Sequence, residues 1–113
     1  MKIKGQTFFL SEQNAWEKVG EGLSRQITGF DVNIMMVKVK FDKGAVGNPH
    51  THHHAQTSYV VKGVFDVTID GVTTRLTAGD AFYVEPNLLH GAVCLEEGVL
   101  IDVFSPLRED FLD

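Results

Sequence analysis

The feature of this sequence that most restricts its fold is a series of short segments in which apolar and polar residues alternate. The alternation is clear over residues 37–42 and again over 65–70. Side chains of a β-strand point in turn to the two faces of its sheet, so this period of two predicts strands with one buried face. Asp70-Gly71 ends the second segment, and this dipeptide favours a tight hairpin. Residues 72–76 are therefore expected to return antiparallel.

Turn residues separate further short segments of the same kind. We expect strands over 16–19 and 23–28 on either side of Gly20-Glu21-Gly22, over 81–84 after Gly79-Asp80, and over 88–95 and 99–104 on either side of Glu96-Glu97-Gly98. The chain would then have eight or nine strands, a number and spacing typical of a β-sandwich or β-barrel. No long segment has helical periodicity, and one helical turn is expected over 107–112.

The segment 99–104 differs from the others because both of its predicted faces are mostly apolar. Such a strand is expected to be buried on both sides. The interior of a small barrel covers only one side, so the other side needs a second cover. A second copy of the chain is the simplest source, and we therefore predict a homodimer.

Length and charge restrict the domain organisation and the partners. A chain of 113 residues is long enough for one domain and too short for two. The formal net charge is -5 and no basic cluster is present, so we expect neither a nucleic-acid partner nor an anionic membrane partner. A single cysteine and the lack of an apolar N-terminal stretch predict a cytoplasmic protein.

Residues 50–54 contain four histidines, which is the strongest chemical signal in the sequence. Imidazole is the commonest protein ligand for divalent transition metals. On a strand His50 and His52 would point to the same face, where both could bind one ion. A further ligand must come from a distant part of the chain, and His90 on a later strand is the candidate. The alternative is a chance surface cluster, or a loop that binds metal loosely.

The residues around these histidines resemble the two sequence motifs of the cupin family. The first motif is matched by Gly47, His50, His52, Gln56, Tyr59 and Gly63, and the second by Gly79-Asp80, Pro86 and His90. The resemblance implies an all-β fold, with one cupin domain over residues 1–113 that forms a double-stranded β-helix or jelly-roll barrel. It also implies one divalent metal ion bound by His50, His52, Gln56 and His90.

Gln56 departs from the cupin pattern, which has an acidic ligand at this position. A neutral amide oxygen leaves the metal more positive than a carboxylate would, which favours a Lewis-acid role over redox cycling. Histidine and glutamine ligands suit nickel, zinc, iron, manganese or cobalt, so the sequence does not select the metal. His53 and His54 match no ligand position. They are interpreted as residues of a turn or pocket rim, with a supporting role behind the ligands as the alternative for His54.

Two polar residues near the C-terminal end also require an explanation. Asp102 interrupts an apolar strand, and a buried carboxylate is costly unless it is paired or hydrogen-bonded. It is either a structural partner of a buried group or a general acid or base that faces a cavity. Arg108 is either a solvated charge or a bidentate clamp for a carboxylate.

Residues 50–56 and 102–111 together resemble the KdgF-type pectin-degradation cupins. The matching stretches are His-Thr-His-His-His-Ala-Gln and Asp-Val-Phe-Ser-Pro-Leu-Arg-Glu-Asp-Phe. The resemblance implies an enzyme that converts 4,5-unsaturated monouronates, released by pectin or alginate lyases, into linear keto sugars. It implies that Asp102, Phe104 and Arg108 are catalytic and that the partner is a small anionic sugar.

On this interpretation Arg108 would hold the substrate carboxylate, and Asp102 would move a proton from the hemiacetal hydroxyl to carbon. Phe104 would shape the pocket, the metal would act as a Lewis acid, and Arg25 would add positive charge. Two alternatives remain, namely another cupin metalloenzyme such as a dioxygenase, and a sugar-binding cupin without catalysis. Pectin-derived and alginate-derived uronates are not distinguished.

Overall fold

The computed structural model describes residues 4–112, and within this range the fold is built almost entirely from antiparallel strands. The strands are β1 Glu17–Gly20, β2 Leu23–Phe30, β3 Met35–Phe41, β4 Val46–His50, β5 Ala55–Ile69, β6 Val72–Thr77, β7 Ala81–Val84 and β8 His90–Ser105. Short 3-10 helices cover Ser11–Gln13 and Glu109–Phe111. The predicted all-β class is confirmed, and the second 3-10 helix lies where a helical turn was expected.

Two long strands, β5 and β8, organise the sheet. The strand order is β1-β2-β3-β8-β5-β6, while β4 pairs with β8 and β7 pairs with β5. Each long strand therefore has partners on both of its edges along different parts of its length. This arrangement folds the sheet around one interior and produces the jelly-roll barrel that the sequence predicted.

The hairpin between β5 and β6 follows directly from the turn residues. Asp70 has a φ angle of 49° and Gly71 one of 82°. Positive φ at both central positions is the requirement of a type I′ turn, whose twist matches that of the flanking strands. The pairing of Phe65 with Leu76 and of Ile69 with Val72 confirms the predicted antiparallel return.

The predicted break at Glu96-Glu97-Gly98 is wrong, because β8 runs without interruption through these residues. The irregularity lies instead in β5, the strand that pairs with β8 here, where the register shifts between Val60 and Phe65. Gly63 there has a φ angle of 97°, and a Cβ on it would lie 2.6 Å from the Cα of Gly98. The two glycines let the backbones approach closely enough for the pairing to continue through a bend.

The interior holds two clusters of buried apolar side chains. The larger one contains Phe41, Ala45, Val60, Phe65, Val67, Cys94 and Leu100. The smaller one contains Met35, Val37, Phe104 and Leu107. Since Phe104 also borders the cavity described below, the smaller cluster forms a rigid support for that site. Over residues 4–112 no helix is long and apolar enough to cross a membrane.

Candidate metal centre and its cavity

The predicted metal ligands come from three strands and one connection of the barrel. His50 is the last residue of β4, His90 is the first of β8, and Gln56 lies near the start of β5. The pairing of β4 with β8 sets His50 directly opposite His90, although the two are far apart in the sequence. His52 lies in the connection between β4 and β5, so its expected position on a strand is wrong. The bend of this connection, and not strand alternation, directs its ring towards the other two.

The three histidine rings meet closely enough to share one ion. Their potential ligand nitrogens all lie within 4.8 Å of one another. The ring centroids of His50 and His90 are 4.4 Å apart, and those of His52 and His90 are 4.8 Å apart. Among residues 4–112 these three histidines form the group with the geometry to hold a metal ion.

Backbone carbonyl groups set the orientation of each ring. The Nδ1 atoms of His50, His52 and His90 lie 2.9, 3.0 and 2.9 Å from the carbonyl oxygens of Asn48, His54 and Leu88, respectively. A carbonyl oxygen can only accept, so each ring donates its Nδ1 proton. The lone pair of each Nε2 atom is then free for a metal ion, which is the arrangement that supporting hydrogen bonds create around metal-bound histidines.

The side-chain amide of Gln56 is oriented in the same way. Its Nε2 donates a 3.0 Å hydrogen bond to Ser58 Oγ, which turns Oε1 towards His52. Oε1 lies 3.0 Å from His52 Nε2, so two lone-pair acceptors face each other. The buried Nε2 of His90 also has no hydrogen-bond partner within residues 4–112. A divalent cation would satisfy all of these atoms, so this donor set fits a metal ion.

Burial favours the neutral form of the rings. It lowers the pKa of His52 and of His90 below the usual histidine value. Both rings are consequently uncharged at neutral pH, and neutral imidazole is the form that binds metal. The neutral form of the rings and their close approach therefore both favour metal binding.

Asp102 lies next to this group and is connected to it through Ser58. Ser58 Oγ donates a 2.5 Å hydrogen bond to Asp102 Oδ1, while accepting the one from Gln56. Burial raises the pKa of Asp102 to about 6, although the bond from Ser58 opposes the shift. A carboxyl group with a pKa in this range can both accept and release a proton near neutral pH.

A cavity of about 310 Å³ joins these groups. Its lining includes His50, Gln56, His90, Asp102, Phe104 and Arg108, which are six of the seven residues predicted for the site. The seventh, His52, is not among the lining residues, and its ring centroid is 5.7 Å from that of Phe104. The three residues predicted to be catalytic thus line the same cavity as three of the four predicted metal ligands.

His53 and His54 lie outside the metal group. The two rings stack on each other with centroids 3.9 Å apart, and His54 is buried whereas His53 is exposed. The backbone carbonyl of His54, rather than its ring, accepts the hydrogen bond from His52. His54 therefore supports the ligand set through its main chain.

The sequence interpretation missed Ser58 and Phe111. Ser58 follows Gln56 by two positions on β5, so strand alternation could have placed both on the inner face. Phe111 lines the cavity from the C-terminal 3-10 helix. The matching stretch 102–111 includes Phe111, but no role was assigned to it, because its position depends on how this helix folds back over the barrel.

Comparison with known proteins shows which family and which relatives this chain is similar to. The family model described as "Cupin domain" matches residues 37–104. A curated pectin degradation protein, KdgF of Dickeya dadantii, is 48% identical over 93% of this chain and 97% of its own length. The solved structure of a RmlC-like cupin from Shewanella frigidimarina is 53% identical, with a TM-score of 0.95 and coverage of 97% and 99%. That of KdgF from a Halomonas species is 44% identical, with a TM-score of 0.91 and coverage of 95% and 99%.

Proposed function

We propose that this chain, which belongs to the cupin family, is a metal-dependent enzyme that converts 4,5-unsaturated monouronates from pectin or alginate breakdown into linear keto sugars. The observation that carries the proposal is the shared cavity, in which a donor set for one metal ion, a carboxyl group of raised pKa and an arginine meet. The 48% identity to a pectin degradation protein supports the same substrate class.

The size of the cavity supports a monosaccharide substrate. Ligand pockets usually measure about 300–1,000 Å³, and this cavity of about 310 Å³ is at the lower limit. A single sugar ring fits such a volume, whereas a polysaccharide chain would need an extended groove. The proposed enzyme therefore acts on the monomers that remain after lyases have cleaved the polymer.

The metal ion would be held by His50, His52, Gln56 and His90. All four donors are neutral, so the ion would retain its full positive charge in the site. When bound, it would supply Lewis-acid chemistry to the carboxylate or ring oxygen of the substrate. The proposed metals are nickel, zinc, iron, manganese or cobalt, and elemental analysis of the purified protein distinguishes them.

Asp102 would transfer the proton that the reaction requires. Ring opening is an isomerisation in which no atom is gained or lost. The ionised Asp102 takes the proton of the hemiacetal hydroxyl, the bond between C1 and the ring oxygen breaks, and the resulting enolate receives a proton at C4. The products are an aldehyde at C1 and a ketone at C5. A pKa of about 6 suits a group that must act first as base and then as acid.

Arg108 and Phe104 would bind and orient the substrate. The side chain of Arg108 is only 12% exposed and lines the cavity, where its guanidinium can bind the substrate carboxylate. Phe104 is 3% exposed and forms an apolar wall beside it. This wall excludes water from the reacting atoms, which strengthens the electrostatic interactions within the cavity.

The experiment is incubation with an unsaturated monouronate, with loss of the alkene absorbance followed over time and the aldehyde and ketone identified by NMR. Asp102→Ala should abolish turnover, while Asp66→Ala, an acidic residue on the outside of β5, should retain it. Full turnover by Asp102→Ala would contradict the role of Asp102. Recovery of the sugar unaltered would favour a binding module, and dependence on dioxygen would favour a dioxygenase.

We further propose a homodimer that buries the outer face of β3, β8, β5 and β7. Ile101 and Val103 of β8 lie on this face beside Tyr59 and Met36 of the neighbouring strands. Tyr59 is 48% exposed and Met36 is 42% exposed, and they lie on β5 and β3, the two strands that flank β8. Clustered exposed apolar side chains are typical of an interaction site. A second copy of the same face would cover them.

Sedimentation equilibrium at micromolar concentration tests the dimer. The wild-type protein should sediment as a dimer and Tyr59→Lys as a monomer. Val72→Lys is the matched control, because Val72 is exposed on β6, away from this face. A monomeric wild type would overturn the assignment. A cytoplasmic location, and the lack of nucleic-acid and membrane partners, stay predictions of the sequence.

A further inference from the structure

Two arginines from different parts of the chain contact the ring of Phe111. The guanidinium carbon of Arg25, on β2, is 3.9 Å from the centroid of the Phe111 ring, and that of Arg108 is 4.3 Å from it. Both distances are within the range of cation–π attraction. Both guanidinium groups thus contact the same aromatic ring, although like charges repel each other.

The carboxylates that pair with these arginines are much more exposed than the arginines themselves. The side chains of Arg25 and Arg108 are 16% and 12% exposed, whereas those of Glu17 and Asp110, their partners, are 59% and 61% exposed. The negative groups are therefore in contact with water, which weakens their influence on the cavity. The guanidinium groups face a more secluded environment than their partners do.

Both arginines also retain unused hydrogen-bond donors. Within residues 4–112, Arg25 makes one side-chain hydrogen bond, from Nε to Glu17, so its two terminal nitrogens have no partner. Arg108 uses Nε and one terminal nitrogen for Asp110. A guanidinium carries five N–H donors, so each group can still bind an anion. Arg25, Arg108 and Phe111 all line the cavity that contains Asp102.

We propose that Arg25 joins Arg108 in binding the carboxylate of the substrate and that Phe111 is the positioning residue that holds the two guanidinium groups. The proposal rests on the proposed function in that the substrate is an acidic sugar. Phe111 also packs at 90° against Phe104, with ring centroids 5.7 Å apart. Through this contact the C-terminal 3-10 helix packs against the cavity wall. The two arginines pack against the same helix through the ring of Phe111.

The first test measures binding without catalysis. Calorimetry with D-galacturonate and with D-galactose compares an acidic sugar with its neutral counterpart. Arg25→Gln should weaken the binding of galacturonate by about tenfold or more and leave that of galactose unchanged, because only the acidic sugar carries the carboxylate. Arg75→Gln is the matched control, since Arg75 also pairs with a carboxylate but lies on β6, outside the cavity.

The second test separates positioning from catalysis. With the unsaturated monouronate as substrate, Phe111→Leu and Arg25→Gln should each raise KM about tenfold while kcat remains near that of the wild type. Phe111→Tyr, which retains the aromatic face, should keep the wild-type KM. In the double variant the two effects should be less than additive, because the ring acts through the arginines. Arg25→Lys, which keeps the charge but loses the planar fork, should fall between the wild type and Arg25→Gln.

The outcomes distinguish this proposal from the proposed function. Unchanged KM and unchanged galacturonate binding in Arg25→Gln would overturn the role of Arg25, even if the wild type turns over the uronate. A KM of Phe111→Leu equal to that of the wild type would overturn the role of Phe111. If the wild type fails to convert the uronate but binds galacturonate through Arg25, the proposed reaction is wrong and the arginine pair stands. Wild-type protein that binds neither acidic sugar overturns both.

Discussion

Ser58 Oγ donates a 2.5 Å hydrogen bond to Oδ1 of Asp102, across the pair formed by β5 and β8. The same hydroxyl accepts a hydrogen bond from Gln56, whose carbonyl oxygen faces the histidine group. Ser58 therefore connects the proposed proton-transfer group with a proposed metal ligand. One uncharged side chain sets the orientation of both.

Ser58→Ala should impair the site without removing a reactive group. The hydrogen bond from Ser58 lowers the pKa of Asp102, so its loss should move this pKa further up. Gln56 would also lose its orienting acceptor, and changes of this kind typically cost about 10–100-fold in metal affinity or activity. The measurement is kcat/KM as a function of pH. Ser105→Ala is the control, because Ser105 donates its hydrogen bond to the Asn33 carbonyl at the surface. Equal losses of kcat/KM in both variants would contradict the proposed role of Ser58.

The pH dependence of turnover should follow the ionisation of Asp102. Burial raises the pKa of this group to about 6, and the proposed first step needs the carboxylate form. We therefore expect kcat/KM to rise as the pH increases through about 6 and to fall on the acidic side. The Arg108 guanidinium and the His50 ring also face Asp102, so the profile should be compared with that of Arg108→Gln. In that variant the midpoint should lie higher, because the charge of Arg108 lowers the pKa. A profile that is flat between pH 4 and pH 7 in the wild type would contradict this assignment.

The same burial should make Asp102 a cost to stability at neutral pH. A carboxyl group with a raised pKa in the folded state contributes stability that is present below its unfolded pKa of 3.8 and lost as the pH rises through about 6. The shift corresponds to roughly 3 kcal/mol as an upper estimate. Asp102→Asn should thus increase the free energy of unfolding of the metal-free protein at pH 7 by about 1–3 kcal/mol while abolishing turnover. Urea unfolding at pH 4 and pH 7 checks this, since the gain should vanish at pH 4.

Metal binding should stabilise the protein through the histidine group. An ion that binds only the folded state adds about 2.7 kcal/mol at a concentration 100 times its Kd. Treatment with a chelator should therefore lower Tm, and re-addition of metal should restore it. His90→Ala should lose this response, because His90 belongs to the group of three. His53→Ala, an exposed histidine outside that group, should respond like the wild type; a lost response there would indicate a different site.

Gln56→Glu should bind metal more tightly and turn over substrate more slowly. The added carboxylate reduces the positive charge of the ion and so weakens its Lewis acidity. The substitution also removes the N–H donor that Gln56 offers to Ser58. Isothermal titration with the metal and steady-state kinetics measure the two effects, and we expect kcat to fall about 10–100-fold. Gln26→Glu, a buried glutamine on β2, is the control for a new buried charge. Wild-type kcat in Gln56→Glu would show that the neutral ligand is not required.

Local patterns in the sequence were sufficient for most of the strands and for the hairpin at Asp70-Gly71. They failed where the local structure depends on residues that are far away in the sequence. Glu96-Glu97-Gly98 has the composition of a turn, yet β8 continues through it because β5 supplies an irregular partner there. His52 was expected on a strand, yet it lies in a connection whose course depends on both β4 and β5.

Local sequence patterns were enough to predict the period of the strands, most of the turns and the types of chemical group available to a metal ion. These properties depend on residues that are close together in the sequence, so local patterns are enough to predict them. Three contacts could be identified only from the folded chain: His50 lies opposite His90, Ser58 is hydrogen-bonded to both Gln56 and Asp102, and Phe111 contacts Arg25 and Arg108. Such contacts depend on sheet register and on the return of the C-terminal segment over the barrel. Both are set by the burial of the whole core, which no single segment encodes.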